Sequence, residues 1–577
     1  MERWVVSAKR ADFQRIASDF QIDQVTARLI RNRGIEGDAA IREYLYGDLS
    51  DLADPHLLKD CDKAVEILRE KIRGQRRIRI IGDYDIDGVN ATYILYRGIS
   101  RCGGNVDFEI PDRMKDGYGI NENLIQIARE EGIDTIITCD NGIAAVGQIR
   151  LAKSYGMTVI VTDHHELQEE LPPADALVNP KQPDCAYPFK GLCGAVVALK
   201  VVLCLYERMG IPPEEADSFL EEAAIATVGD VMDLMGENRI LVKEGLKRLN
   251  KTANPGLRAL IRECGLEGRK ISSYHIGFVI GPCINASGRL DTAKRALALL
   301  LEEDEVKAAA LAAELKELND ERKDMTARGV EQAVEMIENG PLKEDKVLVV
   351  YLPACHESLA GIIAGRVRER YSRPAIVLTD SAEGIKGSGR SIEAYNMFQE
   401  LCACSELFTK FGGHPMAAGM SLERGMAETL RKRLNEQTAL TWEDLVPKIV
   451  IDVPMPVSYL TEKLIRELSV LEPYGKGNTK PLFAEKNLAV FGARILGQNR
   501  NVLKMHVKSQ TGTVMEALYF GDIEGMRKYL EEKFGPAETE KLFQGRENAI
   551  RLAFTYYPGI NEFRDRKTLQ IVIQNYQ

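Results

Sequence analysis

Four short stretches carry acids and imidazoles in a pattern suited to chemistry: GDYDIDG over 82–88, TCDNGI over 138–143, VTDHHE over 161–166 and ATVGDVMDL over 226–234. The first three each follow a short β-rich run, so Asp83, Asp85, Asp87, Asp140, Asp163, His164 and His165 stand at strand ends. In an open parallel sheet the carboxyl ends of the strands form the ligand crevice, and these side chains would converge there. A lone aspartate after a strand is commonly a helix cap or turn former. Three in DYDID exceed what one cap needs, and Asp230, after its own apolar run, could complete the cluster. Carboxylates crowded together repel one another unless a cation neutralises them. Acids with one or two imidazoles suit Mn²⁺ or Mg²⁺ better than structural Zn²⁺, which favours thiolates. A shared carboxylate could hold two ions about 3.5–4 Å apart, an arrangement that activates water for phosphoester hydrolysis.

The elements that must position these groups are legible around them. RIRIIGD, DTIITCD and MTVIVTD alternate with helical stretches such as NENLIQIAREEG and AAVGQIRLAKSYG, each ending in a glycine suited to a left-handed cap. That alternation predicts parallel βαβ units in a doubly wound α/β domain, assigned to 61–302. Residues 303–340 read as one charged connecting helix, with Leu311, Leu315 and Leu318 on a stripe and Gly340-Pro341 as its stop. KVLVVYL, a helix from about Ser358 to Arg370, and PAIVLTD predict a second, smaller α/β domain over 341–447. From 448 to 577, LAVFGARIL, VLKMHVKS, VMEALYF, IRLAFTYY and LQIVIQ predict a β-rich domain, barrel or sandwich. Residues 1–60 read as a helical segment packing on the first α/β domain.

Composition narrows the classes further. A chain of 577 residues with 45% hydrophobic and 28% charged residues is a multidomain globular protein. No apolar run of eighteen is present, so membrane partners are not expected and a cytoplasmic location is. Eleven cysteines without a Cys-x-x-Cys pair argue against a disulfide framework and a Cys-rich zinc site. Lys plus Arg is 76 against 86 for Asp plus Glu, a net charge of −10, so any nucleic-acid contact must be local.

In order and spacing, the four stretches resemble the motifs of the DHH phosphoesterase superfamily. NPKQPDCAYPFKGLCGAVVALK, INASGRL, GSGRS, FGGHPMAAG and LEPYGKGNTKPLF narrow the resemblance to its single-strand-specific 5′→3′ DNA exonucleases. The resemblance implies a DHH domain, a DHH-associated domain and an oligonucleotide-binding (OB) barrel. It implies Asp83, Asp85, Asp140, His164 and Asp230 as ligands of Mn²⁺ or Mg²⁺, with Asp140 bridging two ions. His165 would act on the scissile phosphate, while Asp87 and Asp163 would orient ligands. Arg113, Arg289, Ser388 and Arg390 would form a pocket for the DNA 5′ end, and Gly412, Gly413 and His414 would close over the nucleotide. The implied partners are single-stranded DNA, a helicase and a single-strand-binding protein. Two alternatives stand beside this: a relative acting on short RNA or cyclic dinucleotides, disfavoured by the added β-rich domain, and a non-catalytic scaffold, disfavoured by the intact acids and histidines.

Overall fold

In the computed structural model, the described residues are 2–113, 117, 119–497, 499–563 and 566–577. They form two compact units: one of 52–232 and 241–447, the other of 2–51, 233–240 and 448–577. A short strand, β1 (Arg3–Val6), opens the chain and belongs to the second unit. Among the described residues no helix is long and apolar enough to cross a membrane.

The first unit begins with a five-stranded sheet, β2 (Arg77–Ile81), β3 (Asn105–Glu109), β4 (Thr135–Cys139), β5 (Thr158–Thr162) and β6 (Ala176–Val178), in the order β3-β2-β4-β5-β6. Every pairing is parallel. Near-continuous Ile, Val and Thr runs make β4 and β5 central strands buried on both faces, the usual condition of parallel sheets, and in β2 the isoleucines are joined by Arg79, buried through its ion pairs with Asp107 and Glu131. The intervening helices start and stop where their caps dictate. Asn121 accepts from Leu124 N to begin Glu122–Glu130, and Gly132 and Gly156 take φ of 70° and 79° just past two helix ends. Because all five strands run the same way, the segments leaving β2, β4 and β5 emerge at one edge.

The connecting helix runs Glu305–Asn339, capped by Asp304, whose side chain accepts from Val306 N and Lys307 N. Its buried stripe passes through Ala308, Ala312, Leu315, Thr326, Ala333 and Ile337, with Leu311 and Leu318 half-buried beside it. Gly329 sits mid-helix because a Cβ there would meet Ile363 Cδ1 at 2.4 Å. The second sheet comprises β7 (Leu348–Tyr351), β8 (Ala375–Ser381), β9 (Gly384–Arg390), β10 (Lys410–His414) and β11 (Ala417–Leu422), ordered β10-β11-β9-β8-β7. Only β7 and β8 are parallel. The glycine-rich β9 and β10 have no apolar alternation to betray them as strands.

In the second unit β12 (Lys448–Ile451) pairs in parallel with β1, and β13 (Val453–Pro454) leads into β14 (Phe483–Leu496), β15 (Val502–Lys508), β16 (Val514–Tyr519), β17 (Arg551–Phe563) and β18 (Arg566–Tyr576). The order β14-β15-β16-β18-β17 closes through a β14–β17 pairing, which makes this sheet a barrel rather than a sandwich. Phe483, Met505, Ala517, Phe554, Tyr556 and Ile571 fill it. Two helices, Ile523–Phe534 and Pro536–Phe543, interrupt the strand succession between β16 and β17.

The N-terminal segment corrects an expectation. Residues 1–60 were expected to pack on the first α/β domain, yet 2–51 belong to the compact unit of the barrel. The reason is the apolar face of its helices: Ile16, Phe20, Leu29 and Ile30 share one core with Met455, Val457, Leu460 and Leu464. Ending the chain at residue 447 would therefore uncover these side chains. Such a truncation is expected to bind a hydrophobic dye and to lose residues 2–51 first under limited proteolysis, whereas equal protease resistance with the full chain would contradict the shared core.

Candidate metal centre and adjoining arginine pocket

The backbone turns β2 into a helix through Asp85, whose Oδ1 accepts from Asp87 N at 2.9 Å and Gly88 N at 3.1 Å and so caps Ile86–Arg101. One acid of DYDID thus performs the ordinary capping role and also keeps an edge toward Asp83 and Asp140: one oxygen from each of the three lies within 4.8 Å of the others. Asp140 leaves β4 at φ 60°, a left-handed conformation that a non-glycine residue holds only at a cost of about 1–3 kcal/mol. Gly194 permits the approach opposite it, since a Cβ there would stand 2.7 Å from Asp140 Cβ. Two further groups complete the centre, Asp140 with His164 and His165, and Asp87 with His164 and Asp230. His164 Nε2 lies 3.0 Å from Asp140 Oδ1, 3.5 Å from Asp87 Oδ2 and 3.8 Å from Asp230 Oδ2. All the strand-end and turn residues singled out in the sequence are brought together.

Their hydrogen bonds separate them. Asp163 is saturated: Oδ1 accepts from His164 N, from His165 N and from His165 Nδ1 at 2.8 Å, and Oδ2 accepts from Ile143 N at 2.9 Å. It is fitted to orient the loop and the His165 ring. Asp87 accepts from Gly194 N at 2.6 Å and Ala195 N at 2.8 Å, the first amides of the Gly194–Met209 helix, yet it also stands in a candidate ligand group. Those two amides were not singled out in the sequence, because a backbone donor has no side-chain signature.

Electrostatics point to a cation. Burial, then the charges of neighbouring acids, holds the carboxyls of Asp83 and Asp140 well above the usual range and raises that of Asp85. Burial lowers His164. For Asp163, burial pushes upward, but the hydrogen bond and charge of His165 and the backbone donors outweigh it, and the net shift is downward. Burial would depress His165, but the Asp163 hydrogen bond and the charges of Asp163, Asp230 and Asp87 carry it up to about 9. Asp83 Oδ1 and both ring nitrogens of His164 are buried without a hydrogen-bond partner. Oxygen-rich donors left open in this way fit a hard divalent cation.

A cavity of about 380 Å³ adjoins this centre, lined by Tyr84, Arg113, Arg289, Ser388 and Arg390 among others. Tyr84 lies between Asp83 and Asp85 in sequence, and Arg113 Cζ sits 5.0 Å from its ring centroid. Arg289 Nη1 donates to Ser358 O at 3.0 Å, and Arg390 Nη1 donates to Ser388 Oγ at 3.0 Å and Gly389 O at 2.8 Å. Burial lowers both arginines, Arg289 to about 10, which leaves it cationic at neutral pH. The helix bearing Arg289 approaches closely because residue 288 is glycine, where a Cβ would meet Tyr84 O at 2.1 Å. Gly412, Gly413 and His414 lie apart from this cavity's lining, exposed on β10. His414 nevertheless contributes to the field at Glu166, beside His165.

Family models match in three places: the DHH family N-terminal domain over 77–227, the DHHA1 domain over 344–439 and the RecJ OB domain over 451–575. The single-stranded-DNA-specific exonuclease RecJ of Bacillus subtilis is 36% identical over 578 residues, an alignment covering 99% of this chain and 70% of that protein. The chain belongs to the RecJ family. A crystal structure of RecJ from Thermus thermophilus in complex with Mn²⁺ superposes with a TM-score of 0.83 at 28% identity, covering 100% of this chain and 79% of that one. The corresponding Mg²⁺ complex gives 0.77 at 27% identity, covering 100% and 78%. Both ions match the hard, oxygen-rich donor set that this RecJ-family chain presents.

The division of labour between Asp163 and the rest makes a prediction. Replacing Asp163 by Asn removes a charge that holds His165 but no member of the candidate ligand groups, so turnover should fall by about 10–100-fold, as for losses just behind a metal's ligands. Metal content, read by elemental analysis of the purified protein, should stay close to that of the parent. Loss of the metal would instead place Asp163 among the ligands.

Proposed function

We propose that this chain is a Mn²⁺- or Mg²⁺-dependent exonuclease that degrades single-stranded DNA from its 5′ end, releasing 5′-mononucleotides during repair and recombination. The observation that carries this reading is the adjacency of a carboxylate–imidazole centre and an arginine-lined cavity, joined through Tyr84. In this reading Asp83, Asp85, Asp140, His164 and Asp230 hold the ions, with Asp140 shared, and Asp87 keeps His164 and the helix amides in register. When bound, the divalent ions supply Lewis acidity to the phosphoryl oxygens and acidify a water. His165, its side chain 45% exposed and carried toward the protonated form by Asp163, is placed to donate to a phosphate oxygen or to the departing 3′ oxygen.

Polarity needs a second recognition site, because the centre alone would cut a chain approached from either end. Arg113, Arg289, Ser388 and Arg390 supply it by gripping a terminal 5′ phosphate through forked donors. Gly412, Gly413 and His414 close over the nucleotide on the far side. The barrel supplies single-strand contacts of its own, as OB barrels do over roughly 4–16 nucleotides. A cytoplasmic helicase and a single-strand-binding protein would deliver the strand. The test is a time course on single-stranded, duplex and overhang DNA with Mn²⁺, Mg²⁺ or chelator. Mononucleotides should accumulate from 5′-labelled single strands only with metal. Equal decay of blunt duplex, or preferred cleavage of short RNA, would replace this reading.

A further inference from the structure

The arginine cavity is larger and more cationic than one terminal phosphate requires. At about 380 Å³ it falls within the roughly 300–1,000 Å³ range of pockets that bury whole small-molecule ligands. Arg113, Arg289, Arg390 and Lys386 line it against a single lining carboxylate among the described residues, Glu357, which Lys386 contacts at 3.1 Å. A monophosphate brings only about −1.5 to −2 charge. The cations are also spread out. Lys386, Ser388 and Arg390 alternate along β9 and so share one face, and at about 3.3 Å of rise per residue they span roughly 13 Å. Arg289 and Arg390 direct hydrogen bonds to neutral oxygens, so their charge is available to a ligand. Gly361 keeps the wall open, since a Cβ there would stand 2.8 Å from Arg390 Nη2.

We propose that this cavity accepts a 5′-terminal triphosphate, with Arg390 and Arg289 on the phosphate nearest the sugar and Lys386 further along the row. This rests on the 5′-exonuclease reading and extends its substrates to strands carrying a polyphosphate end. The reaction is unchanged at the scissile bond. The oxygen of water joins the phosphorus between the first and second nucleotides, the bond from that phosphorus to the 3′ oxygen breaks, and the 3′ oxygen takes a proton. The first product is therefore a nucleoside 5′-triphosphate, and the shortened strand begins with a 5′ monophosphate.

The experiment compares three otherwise identical DNA oligonucleotides bearing a 5′ hydroxyl, monophosphate or triphosphate, with the full chain in Mn²⁺ and the first product identified by anion-exchange chromatography. Triphosphate ends should be processed with kcat/KM at least equal to that of monophosphate ends, releasing the nucleoside triphosphate first. Lys386→Ala should lower the rate on triphosphate ends by a larger factor than on monophosphate ends. The proposal is overturned if triphosphate ends fall to the hydroxyl rate, if pyrophosphate is released first, or if Lys386→Ala lowers both rates equally. Failure on the monophosphate strand as well would bring down the exonuclease reading itself, whereas failure on the triphosphate strand alone would remove only this extension.

Discussion

Asp140→Ala is expected to abolish hydrolysis while leaving the fold intact. Asp140 belongs to two of the three candidate ligand groups, so its loss disturbs more of the centre than any acid confined to one. Removing a single preorganised donor from an active site costs about 10²–10³-fold in turnover, and a carboxylate shared between two ions should exceed that. Stability should hold, because alanine keeps the left-handed backbone strain at this position while the substitution removes a buried carboxyl that crowds other acids. Asp140→Gly would relieve the backbone strain altogether and still remove the donor. The measurement is initial rate in saturating Mn²⁺ alongside the thermal midpoint. A variant that keeps near-parent turnover would end the shared-carboxylate assignment, and one that unfolds would show the residue to be structural.

Arg390→Ala should cost more on 5′-phosphorylated than on 5′-hydroxyl single strands. Charge-assisted hydrogen bonds contribute about 1.5–3 kcal/mol each, which corresponds to a loss of about 10- to 100-fold in kcat/KM on the phosphorylated strand. Arg390 is half-buried, already oriented by Ser388 and Gly389, and surrounded by like charges from Arg368 and Arg113, an arrangement that favours an incoming anion. Metal content should be unaltered, since none of the candidate ligand groups includes Arg390. Equal losses on both strands would make Arg390 a general backbone contact and shift end recognition to Arg113 and Arg289.

The acid–histidine cluster was legible because its signal is chemical and local: acids and histidines placed just after apolar runs declare both the strand and its end. The barrel strands were legible through alternation, although closure was not, since β14 meets β17 across a long stretch of chain that no local pattern connects. The glycine strands β9 and β10 carry Ser388, Arg390 and His414 but lack the apolar period, so only their resemblance to known motifs drew attention to them. Backbone contributions stayed hidden for a different reason. Gly194 and Ala195 serve Asp87 with amides that every residue possesses, and only the fold shows which are aimed. The placement of residues 2–51 was missed because an amphipathic helix specifies that it must be covered, not by what.

That placement has a consequence for synthesis of the chain. The strand Arg3–Val6 leaves the ribosome early, but its partner Lys448–Ile451 follows about 440 residues later. At roughly 5–20 residues per second, the wait is roughly 20–90 s. Throughout that interval Ile16, Phe20, Leu29 and Ile30 lack the barrel-side partners that complete their core. A ribosome that stalls before residue 448 therefore leaves a nascent chain whose apolar N-terminal segment has no core to cover it.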